Sequence, residues 1–254
     1  MDRFSLLRLV GLAAIAPLAL GLGACKDHAP TDVASPAAAA APLPNVPPPA
    51  GKSWADVIAP TPEGGFRMGN PDAAVKIVEF GSLTCPHCAE FSEKGSATIR
   101  DTWVTSGRAS FEFRHFVRDP LDITLGMLTR CGPAETYFGL TEQVFANQAA
   151  IFNGLQGKDA QMQSAMTAPD NQRFQAVAQA AGLIPFFAAR GVSVDQARGC
   201  LAKPENATQM AKNTEAQSTQ HDISGTPTFL FNGQKADMNT WEQVKARVES
   251  MGVR

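Results

Sequence analysis

Apolar residues follow two kinds of pattern along the chain, and the first kind predicts strands. Residues 75–80 form an apolar run that is too continuous for a strand with one side in water, which predicts a buried central strand. Residues 111–116 alternate between apolar and polar and predict a second strand. A short strand is possible at 66–68, and another is expected after Pro227, where an apolar run ends at an Asn232–Gly233 hairpin turn.

The second kind of pattern predicts helices, because apolar residues recur three or four positions apart. A helix is expected from the cysteine at 85 until just before Gly107, with a kink or weak turn at Gly95. Asp119 followed by proline is typical of a helix start, and the chain is expected to be helical from there to about residue 221. Further helices are predicted at 134–148, 171–181, 193–202 and 204–220, and a last amphipathic helix at 240–251.

The first 24 residues have the composition of an export signal and not of a folded element. Two arginines precede an apolar, leucine- and alanine-rich stretch at 9–22. The sequence Leu-Gly-Ala-Cys that follows resembles the cleavage motif of bacterial lipoproteins, so Cys25 is the predicted site of lipid attachment. The alternative is an ordinary signal peptide cut nearby. Residues 25–52 are rich in proline and alanine and predict an extended tether.

The net charge of the chain is small. Its 22 Lys and Arg residues and 24 Asp and Glu residues give a formal charge of −2, with no basic run beyond the N-terminus. A surface that binds nucleic acid requires clustered basic side chains. Nucleic-acid binding is therefore not expected.

The first predicted strand leads within a few residues into two cysteines, Cys85 and Cys88, where a helix begins. A strand, then Cys-x-x-Cys, then a helix is the setting of redox-active cysteine pairs. Thr84 is the expected N-cap, which places Cys85 in the first helical turn together with Pro86. Backbone N–H groups and the helix dipole would then stabilise the Cys85 thiolate, and His87 would add positive charge when protonated.

Two other interpretations of Cys85 and Cys88 fit the sequence less well. Half of a zinc site would need two more ligands, and the chain has no second closely spaced Cys/His pair. A purely structural disulfide across so short a loop would stabilise the fold very little. The pattern therefore favours a disulfide that is broken and re-formed during activity.

The remaining cysteines allow a second disulfide. Without Cys25 four cysteines are left, and an exported protein can oxidise them. Four cysteines permit three pairings, and assigning one disulfide to the Cys-x-x-Cys sequence leaves Cys131 with Cys200. The alternative is two unpaired, buried thiols.

Several features taken together resemble one known family. Val-Glu-Phe at 78–80 precedes Cys-Pro-His-Cys, a helical region follows, and Gly-Thr-Pro-Thr-Phe at 225–229 stands before Asn-Gly. From about residue 68 onward the chain resembles the DsbA-like thiol:disulfide oxidoreductases of the thioredoxin superfamily. The resemblance implies an α/β thioredoxin fold with an inserted all-helical domain. The expected division is an N-terminal half at 53–118, the insertion at 119–221 and a C-terminal half at 222–254.

The resemblance also implies roles for single residues. It implies that Pro227 is cis and lies beside Cys85, which would expose the Thr226 backbone to pair with a substrate strand. It likens Glu79 to a buried acid beneath the active site, where a carboxylate could relay a proton for Cys88. The alternative for Glu79 is a buried acid that is hydrogen-bonded to a neighbour. The Cys131–Cys200 pair resembles a second disulfide found in a subset of the family.

The function implied by the resemblance is donation of the Cys85–Cys88 disulfide to reduced, unfolded exported proteins. A membrane oxidase similar to DsbB would then reoxidise the enzyme. No cofactor and no metal is expected. The protein is expected to be a monomer, held by its lipid anchor on the periplasmic side of a bacterial membrane.

Two alternatives stay open at this point. Thr226 stands where the family's best-known oxidase has valine, so disulfide isomerase or reductase activity is possible; such isomerases usually dimerise through a separate N-terminal domain, which the tether cannot supply. The other alternative is a carrier that binds a soft metal such as Cu(I) through Cys85, Cys88 and His87.

Overall fold

A computed structural model describes residues 40–254 of the chain. The predicted signal peptide at 1–24, Cys25 and residues 26–39 of the predicted tether lie outside the described residues. The first regular element of the described part is a 3₁₀ turn at Trp54–Asp56, and strands and helices follow it up to the C-terminus.

Six strands form one mixed sheet. Their order across the sheet is β1-β2-β4-β3-β5-β6. Only β3 and β4 are parallel, and the other neighbours are antiparallel. The strands are β1 (Ile58–Pro60), β2 (Phe66–Gly69), β3 (Val75–Gly81), β4 (Ala109–His115), β5 (Thr228–Phe231) and β6 (Gln234–Ala236). The central, buried strand predicted at 75–80 is β3.

Ten α-helices surround this sheet in the described part of the chain. They are α1 (Pro86–Thr98), α2 (Pro120–Thr129), α3 (Tyr137–Ala146), α4 (Gln148–Asn153), α5 (Asp159–Met166), α6 (Asp170–Ala180), α7 (Leu183–Ala188), α8 (Val194–Leu201), α9 (Pro204–His221) and α10 (Trp241–Ser250). Every element between β4 and β5 is helical, so α2 to α9 form an insertion within the sheet-forming part of the chain.

The main hydrophobic core lies between one face of the sheet and the helices. Alternate residues of β3 and its neighbours point to it, so that Ile77 is paired with Phe111 on one side and Phe231 on the other. The opposite face carries a smaller cluster that includes Val78 and Phe80. Because β3 is covered on both faces, its sequence is apolar without strict alternation.

Helix α1 is not kinked at Gly95, contrary to the prediction. Gly95 lies inside the continuous helix, and a Cβ atom placed on it would come 2.5 Å from Cε3 of Trp241. The glycine therefore allows α10 to pack closely against α1. The departure from α-helical geometry comes later, in a π-helical segment at Ile99–Val104.

The other differences from the predicted elements are short. Strand β1 and helices α5 and α7 were not anticipated, and the helix expected at 134–148 is a 3₁₀ turn followed by α3 and the start of α4. Part of the tether also lies against the domain: the N–H of Leu43 donates to the carbonyl of Gly252 at 2.9 Å, and its side chain packs on the core. Contact with the domain thus begins before the predicted start at Ser53.

Candidate active site

Cys85 is held at the point where the loop after β3 turns into α1. It is the N-cap residue of the helix, with extended backbone angles, and Pro86 occupies the first helical position. The prediction that Thr84 caps the helix is wrong, because the Thr84 hydroxyl instead donates to Asp119 at 2.8 Å. The physical reason lies in Pro86, whose ring disfavours helical backbone angles in the residue before it.

Both cysteines of the motif are reduced in this structure, with no disulfide between them, and both are shielded from water. Cys85 is 3% exposed and Cys88 is fully buried. The Sγ of Cys85 donates to the backbone carbonyl of Thr226 at 3.3 Å. The sulfur thus faces the residue that precedes Pro227, and the peptide bond between Thr226 and Pro227 is cis.

The surroundings of Cys85 lower its pKa to about 5. A hydrogen bond from the Cys88 thiol makes the largest contribution, and burial opposes it. A hydrogen bond from Thr226 and the backbone N–H groups of Cys88 and His87 lower the pKa further. The predicted effect of the helix end is present in these N–H groups, but the neighbouring thiol contributes more.

The pKa of Cys88 is shifted in the opposite direction. Burial, followed by the hydrogen bond it gives to Cys85, raises its pKa well above the usual range. The two cysteines are therefore unequal: at neutral pH Cys85 is a thiolate and Cys88 a thiol. A sulfur that is stable as a thiolate is the better leaving group in exchange reactions, so Cys85 leaves more readily than Cys88.

His87 points outward from the start of α1. Its side chain is 78% exposed, and its Nδ1 lies 4.0 Å from Oε2 of Glu90. A protonated His87 would therefore have part of its charge balanced by Glu90. In this structure the Cys85 sulfur is influenced by the backbone N–H of His87.

Glu79 lies buried beneath the two cysteines, in the middle of β3. Its Oε1 has no hydrogen-bond partner. Burial, and secondly the negative charge of Cys85, raise the pKa of Glu79 well above its usual range. The carboxyl borders a small cavity of about 20 Å³, which has room for one water molecule. Thr141 of α3 lines the same cavity, and its hydroxyl is also unpartnered.

A groove opens next to Cys85 between the start of α1, the cis-proline segment and the start of α10. Its volume is about 270 Å³. The side chains lining it include His87, Phe91, Thr226, Pro227, Thr240 and Trp241.

Cys131 and Cys200 are joined by a disulfide, with their Cα atoms 5.9 Å apart. Cys131 follows α2 and Cys200 lies in α8, so the bond connects two helices of the insertion. It closes a segment of 69 residues. Among the described residues, no group of three or more His, Cys, Asp or Glu side chains is arranged to hold a metal ion.

Two buried polar residues of the site were not anticipated. Asp122 in α2 and Gln148 at the start of α4 both contact the loop that carries Cys85. Neither belongs to a recognisable motif, and each lies at least 37 positions from Cys85. Only the folding of the insertion against the loop brings them to the site.

The sequence was compared with families and with curated proteins. A thioredoxin family model matches residues 61–250. A Rickettsia bellii protein named a protein-disulfide oxidoreductase is 20% identical over 187 residues, which are 74% of this chain and 64% of that protein. A Rickettsia typhi protein of the same description is 20% identical over 182 residues, covering 72% of this chain and 60% of the relative. The chain thus spans about three fifths of the length of these curated relatives.

Solved structures of similar shape point to the same family. The protein-disulfide isomerase from Novosphingobium aromaticivorans is 30% identical, with a TM-score of 0.67 over 72% of this chain and 97% of that one. The alpha-DsbA1 of Wolbachia pipientis, at 19% identity, has the same fold, with a TM-score of 0.54 over 79% of this chain and 96% of that one. The predicted fold class is thereby confirmed. The chain belongs to the thioredoxin family.

Proposed function

We propose that this protein oxidises the thiols of exported proteins by donating its Cys85–Cys88 disulfide. One observation carries the proposal: the pKa of Cys85 is lowered to about 5 while that of its partner Cys88 is raised. Stabilising the thiolate stabilises the reduced pair, so the oxidised pair has a strong tendency to accept electrons. That property suits a donor of disulfides.

The proposed reaction consists of two exchange steps. A substrate thiolate first attacks the Cys85 sulfur of the oxidised pair; the bond between the cysteines breaks, and its electron pair leaves on Cys88, which takes up a proton. A second substrate thiolate then attacks the substrate sulfur of the mixed disulfide, and Cys85 leaves as a thiolate. The substrate loses two electrons and the enzyme gains two. The low pKa of Cys85 favours the second step.

Glu79 is the proposed source of the proton that Cys88 takes up. Burial, and secondly the charge of Cys85, raise the pKa of Glu79 well above its usual range, which favours the protonated carboxyl. When ionised, Glu79 raises the pKa of Cys88, so the two groups are electrostatically coupled. A buried carboxylic acid next to a departing thiolate can supply the proton that the thiolate needs.

The proposed substrate-binding element is the backbone of Thr226 together with the groove beside Pro227. The Thr226 carbonyl oxygen lies 3.3 Å from the Cys85 sulfur. A substrate strand lying along Thr226 would bring its cysteine to the same sulfur. Main-chain pairing of this kind is independent of sequence, which suits an enzyme that acts on many unfolded proteins.

Disulfide isomerisation is a second candidate function. The observation that favours it is the 30% identity to a solved structure described as a protein-disulfide isomerase. The test compares two substrates of the purified protein. If the protein is an oxidase, its oxidised form will convert reduced ribonuclease into a disulfide-bonded form, one substrate disulfide per enzyme molecule. Its reduced form will recover little activity from scrambled ribonuclease. Efficient unscrambling with poor oxidation would instead identify an isomerase.

We also propose that the protein is exported and attached to the membrane by a lipid on Cys25, as a monomer that a DsbB-like oxidase reoxidises. The sequence of residues 1–25 supports this proposal. In the described residues, 40–254, no helix is both long and apolar enough to cross a membrane.

Replacement of Cys25 tests the anchor. Bacteria grown with radiolabelled palmitate should label the protein and retain it in the membrane fraction. The Cys25→Ser variant should lose the label and leave that fraction, because stable attachment requires acyl chains. Label that persists in Cys25→Ser, or is missing from the unaltered protein, would refute the lipid anchor without affecting the proposed redox activity.

A further inference from the structure

The loop between β3 and α1 contains buried backbone groups that must find hydrogen-bond partners outside regular structure. Leu83 in the middle of this loop is fully buried. Its N–H donates to Oδ1 of Asp122 at 2.8 Å, and its carbonyl accepts from Nε2 of Gln148 at 2.9 Å. Two side chains of the helical insertion therefore hold this residue from both sides.

Gln148 also contacts the redox cysteine directly. The same Nε2 atom donates to the backbone carbonyl of Cys85 at 3.1 Å. That carbonyl also accepts the N–H of Ala89, which is the first hydrogen bond of α1. Gln148 is only 7% exposed, so water cannot readily replace it. It thus connects the start of α4 to the start of α1 at Cys85 itself.

Asp122 fixes the other half of the loop. It is fully buried and accepts the Ser82 hydroxyl at 2.7 Å and the Arg118 N–H at 3.0 Å, in addition to the N–H of Leu83. Burial raises its pKa to about 7, while the hydrogen bonds from Ser82 and Leu83 counteract the rise. The neighbouring Asp119 accepts the hydroxyl of Thr84, so the contact continues along the loop.

We infer that Gln148 and Asp122 are positioning residues for the redox pair, setting the reactivity of Cys85 by holding the loop that presents its sulfur. The low pKa of Cys85 depends on hydrogen bonds to its sulfur. They come from the Cys88 thiol, from the Thr226 side chain and from the backbone N–H groups of Cys88 and His87. Such hydrogen bonds weaken steeply when their angles change. Without the hydrogen bonds from Gln148 and to Asp122, the buried N–H and carbonyl groups of the loop would have to find other partners. The loop would then rotate, and the Cys85 sulfur would leave this position.

The consequence is that the helical insertion takes part in tuning the chemistry of the thioredoxin-like part. The inference rests on the proposed function, because it concerns the reactivity of Cys85. It is nevertheless separable from that function, since the pKa of the thiol and its equilibrium with glutathione can be measured without any protein substrate.

The test uses the full protein with Gln148→Leu, which keeps the volume of the side chain but removes both donated hydrogen bonds. Gln143→Leu is the matched control, because Gln143 is exposed on the preceding helix and its side chain accepts only from Arg190 among the described contacts. Asp122→Asn, which keeps the shape of the carboxylate, is the second variant and decides the matter if Gln148→Leu does not fold. Thermal unfolding of the oxidised and reduced forms is recorded for each variant.

In Gln148→Leu and Asp122→Asn, the pKa of Cys85 should rise by about one unit, and the equilibrium with glutathione should shift about tenfold toward the oxidised protein. The control should match the unaltered protein. If both variants lose stability equally in the two redox forms while pKa and equilibrium stay unchanged, the two residues are merely structural and the inference is wrong. If Cys85 of the unaltered protein has an ordinary thiol pKa, the proposed function is wrong, and the inference that rests on it is wrong as well.

Discussion

Cys85→Ser should abolish the oxidation of reduced substrate proteins, lowering the rate by about a thousandfold or more, to that of the uncatalysed reaction. A serine oxygen can neither form a disulfide with Cys88 nor leave as a stabilised thiolate. The expected loss is at least as large as for any other single substitution of the site, because no other group can form the mixed disulfide. The measurement is the rate at which reduced ribonuclease gains disulfides, followed by thiol titration.

Cys88→Ser is the matched control for this experiment. It leaves Cys85 in place but removes Cys88, the thiol whose attack on the Cys85 sulfur would reverse the formation of a mixed disulfide. With a disulfide-bonded substrate, the Cys85 thiolate of this variant should attack the substrate disulfide, one substrate sulfur should leave as a thiolate, and the mixed disulfide should accumulate as a larger band on non-reducing gels, whereas Cys85→Ser should form none. Substrate oxidation by Cys85→Ser at an undiminished rate would contradict the assignment of Cys85 as the reacting sulfur.

Removing the disulfide between Cys131 and Cys200 should lower the free energy of unfolding by about 4 kcal/mol. The bond closes a segment of 69 residues, and an open chain of that length gains much entropy when it unfolds. The double variant Cys131→Ala/Cys200→Ala should therefore unfold at lower denaturant concentration, and its unfolding free energy should depend more steeply on denaturant because the unlinked unfolded chain is less compact.

The redox pair provides the control for this second prediction. The disulfide connects α2 with α8 inside the insertion, so the pKa of Cys85 should stay near that of the unaltered protein. An unfolding free energy equal to that of the unaltered protein would show that the bond does not stabilise the insertion. A changed pKa of Cys85 would mean that α2 needs the disulfide to keep Asp122 in place.

The parts of the fold that could be predicted are those encoded by local patterns. Residues 75–80 are apolar because β3 is covered on both faces, and Asp119 with Pro120 starts α2 as expected. Asn232 and Gly233 both have positive φ in the turn between β5 and β6, as the hairpin signal predicts. The Cys-x-x-Cys spacing of Cys85 and Cys88 likewise predicts a redox-active pair without any knowledge of the fold.

The parts that could not be predicted depend on contacts between distant segments. Gly95 was expected to weaken a helix, whereas it serves the packing of Trp241, about 150 residues away. Asp122 and Gln148 look like ordinary polar residues of helices until the insertion folds against the loop. Even the largest influence on the pKa of Cys85 is the direction of one thiol hydrogen, which a motif does not specify.

The pH dependence of Cys85 alkylation is the most direct test of the account. The reduced protein is treated briefly with iodoacetamide at a series of pH values, and mass spectrometry measures the modified fraction at each cysteine. The account predicts that Cys85 alone reacts in mildly acidic solution, with a midpoint near pH 5. A midpoint near pH 8.5, the ordinary value for a thiol, would contradict it.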